Sequence, residues 1–335
     1  MISLFQLIFS ILVIMLHAQR LFSLDSLHFI QKSMFSRMAV PFFMICSSYF
    51  LRAQVDSKNR FYKVYLLNMV RSYTFWSTIY LPYALIIFFS LKLPIFELPL
   101  AILVAYFYTG FCYHLWYIPA FILGTCLIIY LNKYIKVKWL LLFSLLLYLL
   151  GTIETYSAYL SGTKFLQYFN LYKQIFFTSR NGIFYSPIFI CFGIILYDYR
   201  ENKIFSYIPL TKLLISILIW SIEGYYIFIN QGYDKNFFIS LLPVSLFLFN
   251  WILRTNLNIN KNWYILKKLS VYFFYLHPIF IEIGFFWFNH YHLKVWQTGI
   301  FVFLFAICGT FILSMIILKF YPKRTNYINN LKNYK

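Results

Sequence analysis

The sequence predicts an all-α fold, a polytopic transmembrane bundle of about ten spans. Three observations predict it. Of 335 residues, 62% are hydrophobic and only 11% charged, where a soluble domain carries roughly 25% charged residues. So few polar side chains cannot cover a water-exposed exterior, and a bilayer must solvate the outer face. The apolar residues also fall in runs near the roughly 20 residues that a helix needs to cross a bilayer. Finally, 24% of the residues are aromatic, including 31 Tyr, a residue suited to membrane interfaces, where its ring meets lipid and its hydroxyl meets water.

The first run, 2–20, lacks the basic start and the small-residue cleavage site of a signal peptide, so it reads as an uncleaved span. Further spans are expected near 36–51, 72–91, 113–132, 138–155, 182–198, 209–229, 236–253, 269–289 and 296–319. Segment 94–109 is apolar but short and carries Pro94 and Pro99, which suits a re-entrant or interfacial piece. Gly151, Thr152 and Glu154 break the end of the fifth span, and 156–181 is the longest polar-leaning gap. The expected organisation is one membrane domain over 1–320 and a short basic cytoplasmic tail over 321–335, with no soluble domain or internal repeat.

Basic residues set the orientation, because Lys and Arg in short loops stay cytoplasmic. Alternate gaps hold Arg52, Lys58, Arg60, Lys63 and Arg71; Lys133, Lys136 and Lys138; Arg200, Lys203 and Lys212; Arg254, Lys261, Lys267 and Lys268; and Lys319, Lys323, Arg324, Lys332 and Lys335. These are most of the 29 Lys and Arg, and they place both termini in the cytoplasm of a multi-pass cell-membrane protein. The net charge of +20 is therefore a topology signal. It forms no continuous patch or recognition motif, and no nucleic-acid partner is expected. The five cysteines are isolated and mostly inside apolar runs; they read as small buried residues, with neither a disulfide nor a bound metal expected.

Ionisable groups at membrane depth are costly, so each is a candidate functional residue. His17 lies near the outer end of the first span, with Arg20 one turn on along the same expected face. A histidine takes a proton from a hydroxyl near neutral pH; the plainer reading is an interfacial His with a hydrogen-bonded neighbour. Arg37 opens the second span and either grips an anionic group through its forked guanidinium or snorkels to headgroups. His114 and Trp116 open the fourth span, Trp116 as an interfacial anchor or a substrate contact, His114 on the wall of an outward-facing cavity. Arg180 precedes the turn-forming pair Asn181-Gly182 and either caps the entry or faces a substrate. Glu223 lies inside the seventh span and needs a partner, for which Arg37, Arg180 and His17 are the candidates. His277 precedes Pro278, which is expected to kink the ninth span. His17 and Glu223 are thus candidates for acid–base work, and Arg37, Arg180, His114, Trp116 and His277 for holding substrate. The absence of GxSxG, P-loop, dinucleotide and HExxH motifs argues against a soluble-type hydrolase, a nucleotide-driven pump or a zinc protease.

Taken in order, these residues resemble a known family. A late His in the first span is followed by RMAVPFFMICSSYFL, RSYTFWSTIYLP, HLWYIPAFILG, SRNGIFYSPIFICFGIIL, a mid-span Glu and SVYFFYLHPIF. The ordered set resembles acyltransferase family 3 over nearly the whole chain, nearest the branch containing the membrane half of vancomycin-resistance serine racemases. The resemblance implies about ten helices, acetyl-CoA or another acyl-CoA as donor substrate rather than a resident cofactor, and a cell-envelope acceptor, usually a carbohydrate hydroxyl, reached from outside. It makes His17 the base or acyl relay and matches Arg37 to the family's Arg ahead of its VPFFF segment. Gln6 stands where many members carry Arg or Lys, and Ser48 where they carry Gly. Any second transfer step is expected from a separate extracytoplasmic partner enzyme. A transporter of a small solute such as serine, using the same intramembrane polar residues, is the alternative reading.

Overall fold

A computed structural model describes residues 1–55, 61–255 and 263–320. Lys58, Arg60, Lys261 and the tail over 321–335 lie outside the described residues. Every regular element among the described residues is helical. In chain order they are α1 (Ile2–His17), α2 (Asp25–Phe29), α3 (Ala39–Val55), α4 (Phe61–Ser90), α5 (Leu98–Val104), α6 (Tyr117–Leu131), α7 (Val137–Thr152), α8 (Lys164–Phe176), α9 (Ser186–Asp198), α10 (Lys203–Ser206), α11 (Pro209–Ile229), α12 (Leu241–Arg254), α13 (Trp263–Phe288) and α14 (Val295–Phe320).

Among the described residues, five helical runs are long and apolar enough to cross a membrane: Asp25–Val55, Tyr62–Ser90, Pro209–Ile229, Trp263–Phe288 and Val295–Phe320. Shorter apolar helices accompany them, among them α1, α6, α7, α9 and α12. Several of these stop short of the spans expected from sequence. α6 begins at Tyr117, α7 ends at Thr152, α9 begins at Ser186 and α12 begins at Leu241. The residues beyond these ends form turns, bends and loops, and some interlock, Phe237 N donating to Thr155 Oγ1 at 3.0 Å.

The chain divides into two units, one of Met1–Ile2 and Leu24–Asn258, the other of Ser3–Ser23 and Ile259–Lys335. In the smaller unit, Ile14, Ala18 and Leu21 share a core with Leu269, Phe273 and Ile281 of α13 and Val302 and Ala306 of α14. Polar contacts add to it: the Ser10 and Ser270 hydroxyls lie 2.8 Å apart, and each donates to Gln6 O, at 2.8 and 2.9 Å. Such hydrogen bonds supply helix adhesion that lipid-equivalent side chains do not.

In the larger unit, α3 and α9 meet backbone to backbone. A Cβ on Gly193 would lie 2.6 Å from Ile45 O and 2.7 Å from Tyr49 N. Ser48 faces this glycine and turns its hydroxyl back to Met44 O at 2.7 Å, so the seam stays closed with a serine at this position. Tyr148, Tyr185, Phe189 and Phe237 form a buried aromatic centre with ring centroids 5.0–6.1 Å apart.

Two elements differ from expectation. The helical run that holds Arg37 begins at Asp25 and passes through a wide turn (Ile30–Met34) and a tight turn (Phe35–Met38) before α3. Gln31, Ser33 and Ser36 are buried there, and these inward polar residues hide the run from a hydropathy reading. The gap 156–181 contains α8, whose Thr163 side chain accepts from Leu166 N at 3.3 Å. α8 buries Leu166 and Phe169 against Ile153 and exposes Phe165, Tyr168 and Leu171. Its interspersed Lys, Gln and Asn keep its mean hydropathy low. Segment 94–109 is largely helical and packs on α4, with Tyr73 donating to Tyr106 O at 2.6 Å.

Candidate functional site

Two clusters bring candidate residues together, one in each unit. In the smaller unit, α1 ends at His17 because Gln19 turns to φ 64°, a left-handed conformation that an L-residue adopts in a turn, not a helix. Arg20 therefore does not continue His17's helix face as expected. Its guanidinium folds into the turn, donating to Phe22 O at 2.7 Å and to Ser23 O. The His17 ring stacks on His277 with centroids 5.7 Å apart and planes 22° off parallel. α13 runs on through Pro278 rather than breaking there. His277 is fully buried, with Nδ1 2.8 Å from Phe273 O. A carbonyl only accepts, so Nδ1 carries the hydrogen and Nε2 is the basic nitrogen.

In the larger unit, the loop ends of α6, α7, α9, α11 and α12 build a polar cluster around Arg37, Asp234 and Arg180. Arg37 donates through Nη1 to Asn236 Oδ1, and its Nη2 lies 3.5 Å from Asp234 Oδ1. Asp234 also accepts from Lys235 N at 2.6 Å and from the Asn236 side chain. Burial pushes the Asp234 carboxyl up, but the charges of Arg37 and Arg180 outweigh it and hold the group below the ordinary carboxylate range.

Arg180 sits differently. Its guanidinium carbon lies 4.6 Å from the centre of the Trp116 ring, a cation–π contact, and among the described residues its side chain meets no hydrogen-bond acceptor; Nε is buried and unsatisfied. Burial lowers its pKa from the ordinary arginine value, with Asp234 opposing and Arg37 adding to the shift. The turn that carries it is tightly held. Asn181 Oδ1 accepts from Ile183 N and Phe184 N at 2.8 and 3.0 Å, an Asx turn. Glu154, only 2% exposed, accepts from Ser179 N at 3.2 Å, Ser179 Oγ at 2.6 Å and Thr178 Oγ1 at 3.2 Å. Lys173 of α8 pairs with it at 3.2 Å.

Trp116 is 8% exposed and edge-on to Tyr185 at 5.8 Å, so it is a platform for Arg180 rather than a lipid anchor. His114 is buried edge-on against Tyr80 at 5.2 Å and does not line the polar cavity described below. Glu223 pairs with none of the basic residues expected. It accepts from Tyr156 Oη, Ile239 N at 2.7 Å, Ser240 N at 2.8 Å and Ser240 Oγ, tying α11 to the start of α12. Asp25, His28, Lys32, Ser33, Arg37, Gln231, Asp234 and Lys235 line a cavity of about 510 Å³ in this unit. Glu154, Asp234, Asn236 and Lys235 were not singled out from the sequence. The signal available was scarcity, because the whole chain holds only nine acidic residues.

A family model described as an acyltransferase domain matches residues 2–319. An amino-acid racemase of Enterococcus faecalis is 29% identical over 304 residues, 84% of this chain and 40% of that protein. A serine/alanine racemase of Enterococcus gallinarum is 30% identical over 253 residues, 72% of this chain and 35% of that protein. The chain thus spans well under half the length of these relatives. No solved structure matches it.

Proposed function

The chain belongs to the acyltransferase domain family, and on that footing we propose that it moves an acyl group, acetyl in the first instance, from cytoplasmic acyl-CoA to a hydroxyl of a cell-envelope acceptor, a carbohydrate. Both termini lie in the cytoplasm on this reading, and the cluster around Arg180 lies at the outer side. His17 takes the proton of the acceptor hydroxyl. The alkoxide forms a bond to the thioester carbonyl carbon, the carbon–sulfur bond breaks, and the proton leaves with the CoA thiolate. His277, stacked on His17, holds the base in place. Arg180 and Arg37 recognise negative charge on a substrate, with Trp116 as the platform beneath Arg180. Glu223 serves the scaffold, and a separate extracytoplasmic enzyme supplies any second transfer step.

The observation that carries the reading, beyond family membership, is Arg180, a half-buried cation with an aromatic floor, a buried unsatisfied Nε and no side-chain acceptor among the described residues. Guanidinium donors that the protein leaves without acceptors are available to an anionic ligand. The test uses inside-out vesicles supplied with acetyl-CoA labelled in the acetyl group. Label is expected in a lumenal or membrane-bound product, and lost when His17→Ala is present at equal amount. Undiminished transfer by that variant would end the His17 mechanism.

Carriage of a small polar solute such as serine is the second reading. It is favoured by the names of the relatives, amino-acid and serine/alanine racemases, and by Gln6 in place of a basic residue. Uptake of labelled serine without any dependence on CoA would select it.

A further inference from the structure

The cavity of the larger unit has an apolar neighbour. A groove of about 310 Å³ runs between the Asp25–Phe35 stretch and α11, lined by Phe29, Ile30, Phe35, Trp220, Tyr225 and Phe228 among others. Phe29 and Phe228, in edge contact at 5.3 Å, line both the groove and the cavity. Gly224 keeps the groove wall thin, since a Cβ there would meet Met34 Cε at 2.7 Å. Ile30, Phe35 and Tyr225 are exposed and form its rim on a run and a helix apolar enough to cross a membrane.

Three cations, Lys32, Arg37 and Lys235, face the cavity against two carboxylates, Asp25 and Asp234. Arg37 is held by Asp234 and Asn236, and Lys235 donates to Gly232 O at 3.2 Å. The Lys32 side chain meets no acceptor among the described residues. Next door, Trp220 is 2% exposed and its Nε1–H has no acceptor among the described residues, a donor placed in an otherwise apolar wall. Positive charge without an acceptor in a polar chamber beside a hydrocarbon-lined trough matches an amphiphile.

We propose that cavity and groove together bind one membrane amphiphile, its phosphate-bearing head against Lys32 and Lys235 and its hydrocarbon chain along Trp220 and Phe35. The binding stands on this geometry alone. The role of acceptor for that amphiphile, as a lipid-linked hydroxyl compound, rests on the acyltransferase reading.

The test measures binding without chemistry. The full chain is placed in phosphatidylcholine vesicles containing either phosphatidic acid or phosphatidylcholine spin-labelled near the chain end, and the immobilised fraction is read by electron paramagnetic resonance. Phosphatidic acid is expected to be immobilised in preference to phosphatidylcholine. Lys32→Gln and Lys235→Gln should each cut the preference by about fivefold, the effect of one basic side chain at an anionic headgroup, while Lys138→Gln, remote in sequence and outside the cavity wall, leaves it unchanged. Ser221→Trp, at an exposed groove position, should release the immobilised phosphatidic acid chain. Equal immobilisation of both lipids, an unchanged signal in Ser221→Trp, or displacement by millimolar inorganic phosphate would each overturn the proposal. A vesicle that binds the lipid but transfers no acetyl label would leave the site standing and remove only the acceptor role.

Discussion

Glu223 and Arg180 are both ionisable residues on the inward side of the larger unit, and their surroundings are opposite. Glu223 receives hydrogens from a tyrosine, a serine hydroxyl and two backbone N–H groups. Arg180 has an indole face beneath it and no acceptor among the described residues. A carboxylate whose lone pairs are filled by its own chain is a clamp, because nothing is left to offer a substrate. A cation with donors to spare is a site, because its cost is recovered only when something binds. An intramembrane charge is therefore a functional hint only after its partners are counted.

Glu223→Ala gives the largest expected change and sharpens the contrast. It strands donors from Tyr156, Ile239 and Ser240, at a cost of about 2–4 kcal/mol, and is read as a lowered melting temperature in detergent. Glu154→Ala acts on the other side, by loosening the turn at Ser179 that aims Arg180. Transfer per folded molecule should fall by about 10–100-fold, the scale of a misplaced contact, with partial rescue by Glu154→Gln; melting should fall too, because donors of Ser179 and Thr178 are stranded. Arg37→Lys keeps the charge but loses the fork that holds Asn236 and Asp234 together; about a tenfold loss is expected, seen as a higher KM for the acceptor.

The smallest effect is a pH dependence. The Asp234 carboxyl is held below the ordinary carboxylate range, so its contribution to stability is present above that range and lost as pH falls through the depressed value. The melting gap between the wild type and Asp234→Asn should be open at neutral pH and close below about pH 4. A gap that widens on acidification would mean that Asp234 is protonated in the cluster.

Much of the fold was legible because the apolar runs are long and the basic residues alternate between gaps. Arg37, Arg180 and Glu223 stood out as charges beside or inside such runs. What could not be read was who meets whom. Asp234 lies in a loop with no periodicity, beside residues that read as the start of a span at 236, so nothing in the sequence marked it as Arg37's partner. Glu154 looked like the frayed end of a helix because its role depends on Ser179 and Lys173, which only tertiary structure brings to it. α8 escaped because one apolar stripe on a polar helix leaves the average hydropathy low.

The most direct measurement compares Arg180→Gln with Glu223→Gln in one membrane preparation, recording acetyl transfer per folded molecule and melting temperature together. Arg180→Gln should lose about 100-fold or more in transfer while melting as the wild type does. Glu223→Gln should melt earlier while each folded molecule transfers normally. The reverse pattern, with transfer lost in Glu223→Gln and stability lost in Arg180→Gln, would contradict the assignment of Arg180 as the binding site and Glu223 as the clamp.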